Sequence, residues 1–297
     1  MLVSDLRTRF RDEGITPSLA ADFQQHVTAF YEAKGRHDME WRHTTDPYKI
    51  VVSEVMLQQT QVPRVAVIYP KFIERFPDFA ALAAAEQADL LAAWQGMGYN
   101  RRALNLQKLA GVIVNEYNGT VPQDPAVLAT LPGIGPATSC SIAAFAFNRP
   151  VVFIETNIRR VFIHYFFDDD TIVDDSELLP LVAAMLPENS REWYWALMDL
   201  GTALKSSVKN PNQRSRHYTK QKTFEGSDRK IRGSVLKKML EQKRGSPDVF
   251  AKEMNEEPAR VRGIMEKMAG EGFFVRESET VYRVSGMSLD EGDARQG

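Results

Sequence analysis

The chain has 297 residues, one cysteine and a formal net charge of -2 at pH 7, and 43% of its residues are hydrophobic. These values are typical of a globular protein with one large and one small domain, and the lone Cys140 excludes an internal disulfide framework and a multi-cysteine metal site. Because no apolar run approaches membrane-spanning length and the first residues lack the apolar core of a signal peptide, we expect a cytoplasmic protein with no membrane partner.

Apolar periodicity predicts a mostly helical chain up to residue 204. Breaks fall where Gly, Pro or Asn interrupt the pattern, at residues 76–78, 96–98 and 118–119. The segment 138–147 is apolar on nearly every face, so we expect it to be buried. The predicted helices cover residues 20–33, 47–62, 64–75, 80–95, 101–117, 125–130, 138–147, 156–166 and 191–204.

The last part of the chain has a different pattern. Residues 206–228 are polar and poor in apolar side chains, which predicts an extended or irregular connector. Three helical segments follow, and then two alternating segments typical of a hairpin. Three helices and a two-stranded ribbon indicate a winged-helix-like module over residues 228–285, of a kind that binds DNA or proteins, before a disordered tail at 286–297. The segments are 230–241, 247–254, 258–269, 272–276 and 280–284.

Positive charge is concentrated in one stretch. Residues 205–244 hold thirteen Lys and Arg against three Asp and Glu. Such a stretch is typical of contact with a phosphate backbone, although a solvated surface or a flexible linker would have the same composition.

Three motifs bear chemistry. Residues 53–62 (SEVMLQQTQV) place the carboxylate of Glu54 beside the neutral amides of Gln58 and Gln59, on a helix-periodic background. Residues 131–138 (LPGIGPAT) form a glycine hairpin between two predicted helices, where uncovered backbone amides and the following helix dipole favour an anion such as a DNA phosphate. The alternative is a simple helix-helix turn. A second carboxylate, Glu155, follows in FIETN.

Together with Trp41-Arg42 and Asp46-Pro47-Tyr48-Lys49, these motifs resemble the helix-hairpin-helix DNA glycosylase superfamily, and within it the adenine DNA glycosylase branch. The resemblance covers roughly residues 39–204. It implies an all-α, two-domain helix-hairpin-helix DNA glycosylase fold, with a six-helix barrel at 48–147 and a second helical domain at 1–47 plus 148–227. The hairpin would grip duplex DNA while the target base is flipped into a pocket. The hairpin residues implied for phosphate binding are Gly133, Ile134, Gly135, Ala137 and Thr138.

The resemblance also implies catalytic roles. Glu54 matches the general acid that protonates the leaving adenine at N7, and burial would raise its pKa so that it holds a proton near neutrality. Glu155 falls where the family has an aspartate that stabilises the positively charged sugar, and it is one methylene longer. Helix capping is the alternative role for Glu155. Asn157 matches an asparagine that orients the pair of acids.

Three further matches concern the base and the wedge. Gln58 and Gln59 resemble the side chains that fill the space left by the extruded nucleotide. Tyr99 and Asn100 fall where the branch often has two tyrosines, and Trp41 and Arg42 match residues that line the adenine pocket. An isolated tryptophan is more often part of a core. The related endonuclease III branch has a nucleophilic lysine where this chain has Ala137, so a lyase that forms a Schiff base is not expected.

Most relatives bind a 4Fe–4S cluster after residue 201. None of the residues at the four ligand positions is a thiolate, so we expect no cofactor and no metal. We hypothesise that Lys209, Arg214 and Arg216 preserve the phosphate-binding role of this loop. The residues at the ligand positions are Lys205, Asn212, Ser215 and Gln221.

These interpretations predict a monofunctional DNA glycosylase of base excision repair, monomeric and associated with the nucleoid. Its expected partner is double-stranded DNA with a mispaired base, most simply adenine opposite guanine or 8-oxoguanine. Two alternatives remain. One is a glycosylase for uracil or thymine opposite guanine or for another damaged base, and the other is a DNA-binding protein with a decayed active site.

Overall fold

The computed structural model describes residues 3–219 and 224–286, and helices dominate both stretches. Short 3-10 helices lie at Glu40–Arg42 and Pro211–Arg214. The all-α class with a small strand-containing module is therefore confirmed. The α-helices are α1 (Val3–Glu13), α2 (Pro17–Lys34), α3 (Pro47–Leu57), α4 (Val62–Arg75), α5 (Phe79–Ala84), α6 (Gln87–Ala93), α7 (Arg101–Glu116), α8 (Pro125–Leu128), α9 (Pro136–Phe147), α10 (Thr156–Phe166), α11 (Asp175–Ala184), α12 (Ser190–Ser207), α13 (Asp228–Gln242), α14 (Pro247–Met254) and α15 (Pro258–Gly270).

The chain divides into two compact units, and the division falls within α3. One unit comprises Met1–Glu54 and Pro122–Lys220, and the other comprises Val55–Val121 and Gln221–Gly297. These units are not the same division as the predicted domain ranges, which stay a prediction. No helix in the described stretches is long and apolar enough to cross a membrane.

The first unit has an aromatic core. Phe23 of α2 is fully buried, and its ring lies edge-on or tilted against four aromatic rings of α10 and α12 at centroid distances of 4.9–5.9 Å. Rings in such edge-to-face contact bury large apolar areas in a fixed geometry. Helix α10, which begins directly after Glu155, is therefore held firmly in place. The four partners of Phe23 are Phe162, Tyr165, Phe166 and Trp193.

The second unit is built around Trp94. Its side chain is fully buried against Phe72 of α4, and its indole Nε1 donates a hydrogen bond of 3.3 Å to the Gly98 carbonyl. That bond connects the core to the loop after α6. The prediction of one continuous helix at 80–95 is wrong. Ala85 and Glu86 have extended backbone angles, so the segment forms two helices, α5 and α6.

The C-terminal segment of the second unit has the winged-helix arrangement that its sequence predicts. Helices α13, α14 and α15 pack together, and a small antiparallel sheet is formed by one short strand between α13 and α14 and two strands after α15. The sheet has the order β1-β3-β2, with β1 at Arg244–Gly245, β2 at Phe274–Arg276 and β3 at Tyr282–Val284. The short β1 was not expected from the sequence. The predicted disordered tail lies outside the described residues except for Gly286.

Candidate active site

Glu54 lies in α3, and the residue as a whole is partly exposed whereas its carboxyl group is enclosed by protein. Ser141, in the middle of α9, donates a hydrogen bond of 2.6 Å from Oγ to Glu54 Oε2. The pKa of Glu54 is raised from its ordinary value of 4.5 to about 7, chiefly by burial and also by the negative charge of Glu155, while the Ser141 hydrogen bond and the charge of Arg42 lower it. A carboxyl group with this pKa is partly protonated near neutral pH and can donate a proton.

Glu155 lies at the N-terminus of α10 and caps it. Its Oε1 accepts hydrogen bonds from the backbone amides of Asn157 at 2.7 Å and Ile158 at 2.9 Å, and its Oε2 accepts one from Asn157 Nδ2 at 3.3 Å. Burial raises the pKa of Glu155, although these amides and the charges of Arg160 and Arg159 oppose the rise. Glu155 therefore caps α10, as the alternative interpretation predicts. The same carboxylate can also act in catalysis.

The structure brings the two carboxyl groups into electrostatic range of each other. Their surroundings are unequal. Glu155 has three hydrogen-bond donors, a helix N-terminus and two nearby arginines, whereas one hydroxyl group donates to Glu54. Because donors and positive charge stabilise a carboxylate, these surroundings favour the proton on Glu54 and the negative charge on Glu155. This is the division of roles that acid-assisted cleavage of a glycosidic bond requires.

Asn157 connects Glu155 to the rest of the unit. Its Oδ1 accepts a hydrogen bond of 2.7 Å from the buried Arg160, whose Nη1 also donates to the Gly201 carbonyl at 2.6 Å. Gly201 packs so closely that a Cβ added there would lie 2.5–2.6 Å from the Asn157 carbonyl oxygen and Cβ. The first turn of α10 is therefore held by α12 at a distance that only glycine permits.

Trp41 and Arg42 lie in the first unit in the 3-10 helix Glu40–Arg42, and both are buried. Arg42 forms a forked ion pair with Asp199 at 2.8 and 2.9 Å, and Arg36 binds the same carboxylate. Burial alone would raise the pKa of Asp199, but these arginines hold it below its ordinary value. Most of the Arg42 guanidinium is thus engaged within the protein, while its Nε is buried without a partner in the described stretches. The predicted base-pocket role of both residues stays a prediction.

The predicted wedge residues lie in the second unit. Gln59 (φ 54°) and Tyr99 (φ 46°) both have a left-handed backbone, which is uncommon for residues other than glycine, and both are exposed. With Asn100 and Gln58 they line a cavity of about 360 Å³, to which helices α7, α13 and α15 also contribute. The structure therefore brings the predicted wedge residues Gln58 and Gln59 to one cavity with Tyr99 and Asn100, which match the tyrosine pair of the branch.

The glycine hairpin connects α8 to α9. Gly133 has a left-handed φ of 79° and is exposed, whereas Leu131 and Ile134 are buried and anchor the turn. Gly135 is the N-cap of α9, and Ala137 is exposed in the first turn, where Thr138 follows. An exposed turn before a helix N-terminus is the geometry that the predicted phosphate contact needs.

The basic loop after α12 is ordered by its own side chains. Arg214 donates to the carbonyls of Ile163, Phe167 and Asp168, so this side chain holds the loop against α10. Lys209 is exposed and Arg216 is 66% exposed, so both remain accessible to a phosphate.

The positions expected for cluster ligands do not fit a 4Fe–4S cluster. Asn212 and Ser215 are buried, Asn212 Nδ2 donates to the Thr156 carbonyl at 2.9 Å, and the Ser215 hydroxyl accepts from the His217 amide. Lys205 is exposed at the end of α12, and Gln221 lies outside the described residues. The contact with Thr156, directly after Glu155, shows that hydrogen bonds connect this loop to the start of α10.

Sequence reasoning missed three residues of this region. Ser141 was hidden in a segment that is apolar on nearly every face, Asp199 had no recognisable motif, and Arg102 is one of two adjacent arginines. Each of them makes its main contact with a residue at least forty positions away in the sequence, so no local pattern could reveal it.

A helix-hairpin-helix together with two carboxyl groups whose pKa values are raised by burial defines the class of DNA repair glycosidases. Comparison with known proteins agrees. The family model described as HhH-GPD superfamily base excision DNA repair protein matches residues 52–179. The chain is 37% identical over 223 residues to the adenine DNA glycosylase of Mycolicibacterium smegmatis, covering 68% of this chain and 75% of that protein. It is 33% identical over 132 residues to a thymine/uracil-DNA glycosylase of Methanothermobacter thermautotrophicus, covering 44% and 60%.

Solved structures show the same fold. A thermostable thymine-DNA glycosylase superposes with a TM-score of 0.57 at 26% identity, covering 65% of this chain and 91% of that one. Endonuclease III in a non-covalent complex with DNA superposes with a TM-score of 0.51 at 20% identity, covering 62% and 85%. The chain belongs to the HhH-GPD superfamily of base excision DNA repair proteins, and it is a DNA glycosylase.

Proposed function

We propose that the enzyme hydrolyses the N-glycosidic bond of adenine mispaired with guanine or 8-oxoguanine in double-stranded DNA. The observation that carries this proposal is the Glu54 carboxyl group, which is hydrogen-bonded to Ser141 and has a pKa of about 7. Adenine leaves readily only when N7 is protonated, so a carboxylic acid that is still partly protonated at neutral pH suits a purine. Relatives named adenine DNA glycosylase support the same substrate.

The reaction follows from the two carboxyl groups. Glu54 donates its proton to N7 as the bond between C1′ and N9 breaks, and the electrons of that bond pass to the base. The sugar becomes an oxocarbenium-like cation, which the Glu155 carboxylate stabilises while Asn157 holds its Oε2. Water adds to C1′ and gives its proton to the Glu54 carboxylate, which restores the acid. Neutral adenine and an abasic sugar are the products.

We propose that this chemistry is monofunctional and needs no metal or cofactor. Ala137 in the first turn of α9 cannot form a Schiff base with the abasic sugar. Chemical reduction with borohydride during the reaction should therefore trap no covalent complex through this position. The Asn212 and Ser215 side chains hold the loop by hydrogen bonds, so the residues present do not support a cluster.

A second candidate is the removal of thymine or uracil opposite guanine. It is favoured by the relative and the solved structure that carry those names. Pyrimidines have no N7, and they leave as anions that gain less from a protonated acid near the ring. The state of Glu54 therefore makes this the weaker candidate.

A panel of duplexes with one labelled mispair each tests the proposal. Release is read by alkaline cleavage at the abasic site, under single-turnover conditions. We expect cleavage at adenine opposite guanine or 8-oxoguanine and none with Glu54→Gln. Release of thymine or uracil with adenine left intact would replace the first candidate by the second. Release of no base by a protein that binds the duplexes would indicate a decayed site.

A further inference from the structure

Arg102, at the start of α7, makes an unusual set of contacts in the second unit. Its Nη1 donates to the carbonyls of Val55, Met56 and Gln58 at 2.8, 2.9 and 2.6 Å. These carbonyls lie at and just beyond the C-terminal end of α3, where backbone acceptors lack intrahelical partners and the helix dipole favours a cation. Arg102 thus caps α3 at the point where the chain enters the predicted wedge.

The other side of the same guanidinium contacts a second loop. Nη2 donates to the Gly98 carbonyl at 3.0 Å and Nε donates to the Tyr99 carbonyl at 3.4 Å, while Nη2 also donates to Thr60 Oγ1 of the first loop at 2.9 Å. The plane also lies over the Trp94 and Tyr99 rings, at 5.3 and 5.7 Å from their centroids. The planar guanidinium therefore connects two loops that are about forty residues apart in sequence. Each loop contains a residue with a left-handed backbone, a conformation that surrounding contacts must stabilise.

A second arginine fixes the Tyr99 side chain. Arg229, at the start of α13 in the winged module, donates a hydrogen bond of 2.6 Å to the Tyr99 hydroxyl and lies 5.7 Å from the ring centroid. The module also contacts α6, where Gln87 Nε2 donates to the Gly272 carbonyl at 2.8 Å. The Tyr99 ring is thus contacted by two guanidinium groups, one from α7 and one from the module.

The arginines of α15, the third helix of the winged module, are not arranged for a phosphate contact. Arg260 pairs with Asp228 and Glu256, and Arg262 pairs with Asp248. A phosphate would have to compete with these carboxylates for the two guanidinium groups. The module is therefore better suited to supporting the wedge loops than to binding DNA by this helix.

We infer that Arg102 and Arg229 form a two-arginine clamp that positions the wedge for base extrusion, and that the winged module supports the wedge through Arg229. Arg102 sets the spacing of the Gln58 loop and the Tyr99 loop, and Arg229 sets the direction of the Tyr99 ring. The inference rests on the proposed function, because it takes Gln58 and Tyr99 as the residues that enter the duplex. Both arginines are positioning residues, since they act through the wedge on the base.

The test measures base extrusion separately from cleavage of the glycosidic bond. A duplex with 2-aminopurine at the target position becomes fluorescent when that base leaves the stack, and the proteins carry Glu54→Gln so that no bond is cut. We expect Arg102→Met to reduce the extruded fraction by about tenfold, and Arg229→Met and Tyr99→Phe to reduce it by about threefold, since flipping costs only a few kcal/mol. Arg276→Met is the matched control, because Arg276 also donates to two carbonyls but lies on the wing.

A second measurement separates positioning from a general loss of structure. With Glu54 restored, base release is compared on a normal mispair and on a target opposite an abasic site, which is extruded at low cost. The clamp predicts that Arg102→Met slows release on the mispair and leaves release on the second substrate within about threefold of the parent. The inference would be overturned if Arg102→Met lost the same factor in release rate on both substrates, or if it extruded the base as well as the parent protein does.

A failure of the variant to fold and a failure of the parent protein to release adenine lead to different conclusions. If Arg102→Met does not fold, Arg102→Lys decides, because lysine keeps the charge but cannot reach both loops with one planar fork. Parent-like extrusion by a folded Arg102→Lys refutes the clamp. If the parent extrudes the analogue but releases no adenine, the proposed substrate fails while the clamp is supported.

Discussion

The hydroxyl of Ser141 lies 2.6 Å from Oε2 of Glu54, so the helix that begins at the glycine hairpin also contacts the proposed acid. The contact stabilises the ionised form of Glu54 and opposes the effect of burial on its pKa. One helix thus presents its N-terminus to the exposed hairpin and a hydroxyl group from its centre to the carboxyl group.

The pH dependence of base release should reflect this contact. Because the proposed acid Glu54 would act in its protonated form and its pKa is about 7, single-turnover release should fall about tenfold per pH unit above that value. Ser141→Ala removes the donor that favours the carboxylate, so the fall should move to higher pH. A profile that is unchanged in Ser141→Ala would show that another group controls the alkaline limb.

The same pKa predicts an effect on stability. Between pH 4.5 and about 7 the folded protein keeps the Glu54 proton while the unfolded chain has lost it, so the free energy of unfolding falls as pH rises through this window. The shift corresponds to about 3 kcal/mol at most. Glu54→Gln should therefore stabilise the protein at pH 8 and remove this part of the slope, as measured by urea unfolding at several pH values. A variant that is less stable than the parent at pH 8 would contradict the predicted burial cost.

Two substitutions at Glu155 should separate catalysis from capping. Glu155→Gln keeps an oxygen that can accept from the amides of Asn157 and Ile158 but removes the negative charge, so we expect release to fall by about a hundredfold or more with little change in melting temperature. Glu155→Ala also loses the cap and should destabilise the protein by about 1 kcal/mol. Full activity in folded Glu155→Gln would assign the residue to capping alone.

The three basic residues of the loop should behave differently. Lys209→Ala and Arg216→Ala should weaken DNA binding and each reduce the salt dependence of affinity by about one unit of slope. Arg214→Ala should chiefly destabilise the first unit, because its guanidinium holds three backbone carbonyls. Binding titrations at several salt concentrations, alongside thermal melts, distinguish these results. An unchanged salt slope in both exposed variants would refute their proposed phosphate contacts.

Much of the helical content could be predicted because it is locally encoded. The segment 247–254 was predicted with the bounds that α14 has, since Ser246 caps it and Pro247 follows. Helix α11 was missed although Asp174 and Glu177 form a capping box at its start, so that signal was present in the sequence and not used. Helix α1 has a mean hydropathy too low for its periodicity to stand out, and packing against α10 gives it its place.

The site was predictable only in part, for a different reason. Motifs located Glu54, Glu155 and the hairpin because each has a recognisable local context. The groups that tune them act across the fold: Ser141 is 87 residues from Glu54, and Asp199 is 157 residues from Arg42. The sequence also indicated a phosphate-binding role for Arg214, but its side chain is only 13% exposed and donates to backbone carbonyls. Charge in a sequence predicts where a cation is, but only packing decides whether it reaches solvent.

The contact between Gly201 and Asn157 limits how this enzyme can change. No space remains for even a methyl group between α12 and the first turn of α10, so a drift in either helix would displace the carboxylate that begins that turn. A substitution that shifts one of these helices is therefore expected to require a compensating substitution on the other. A heritable variant at Gly201, which has no side chain that could react, is expected to impair repair as severely as one in the proposed catalytic pair.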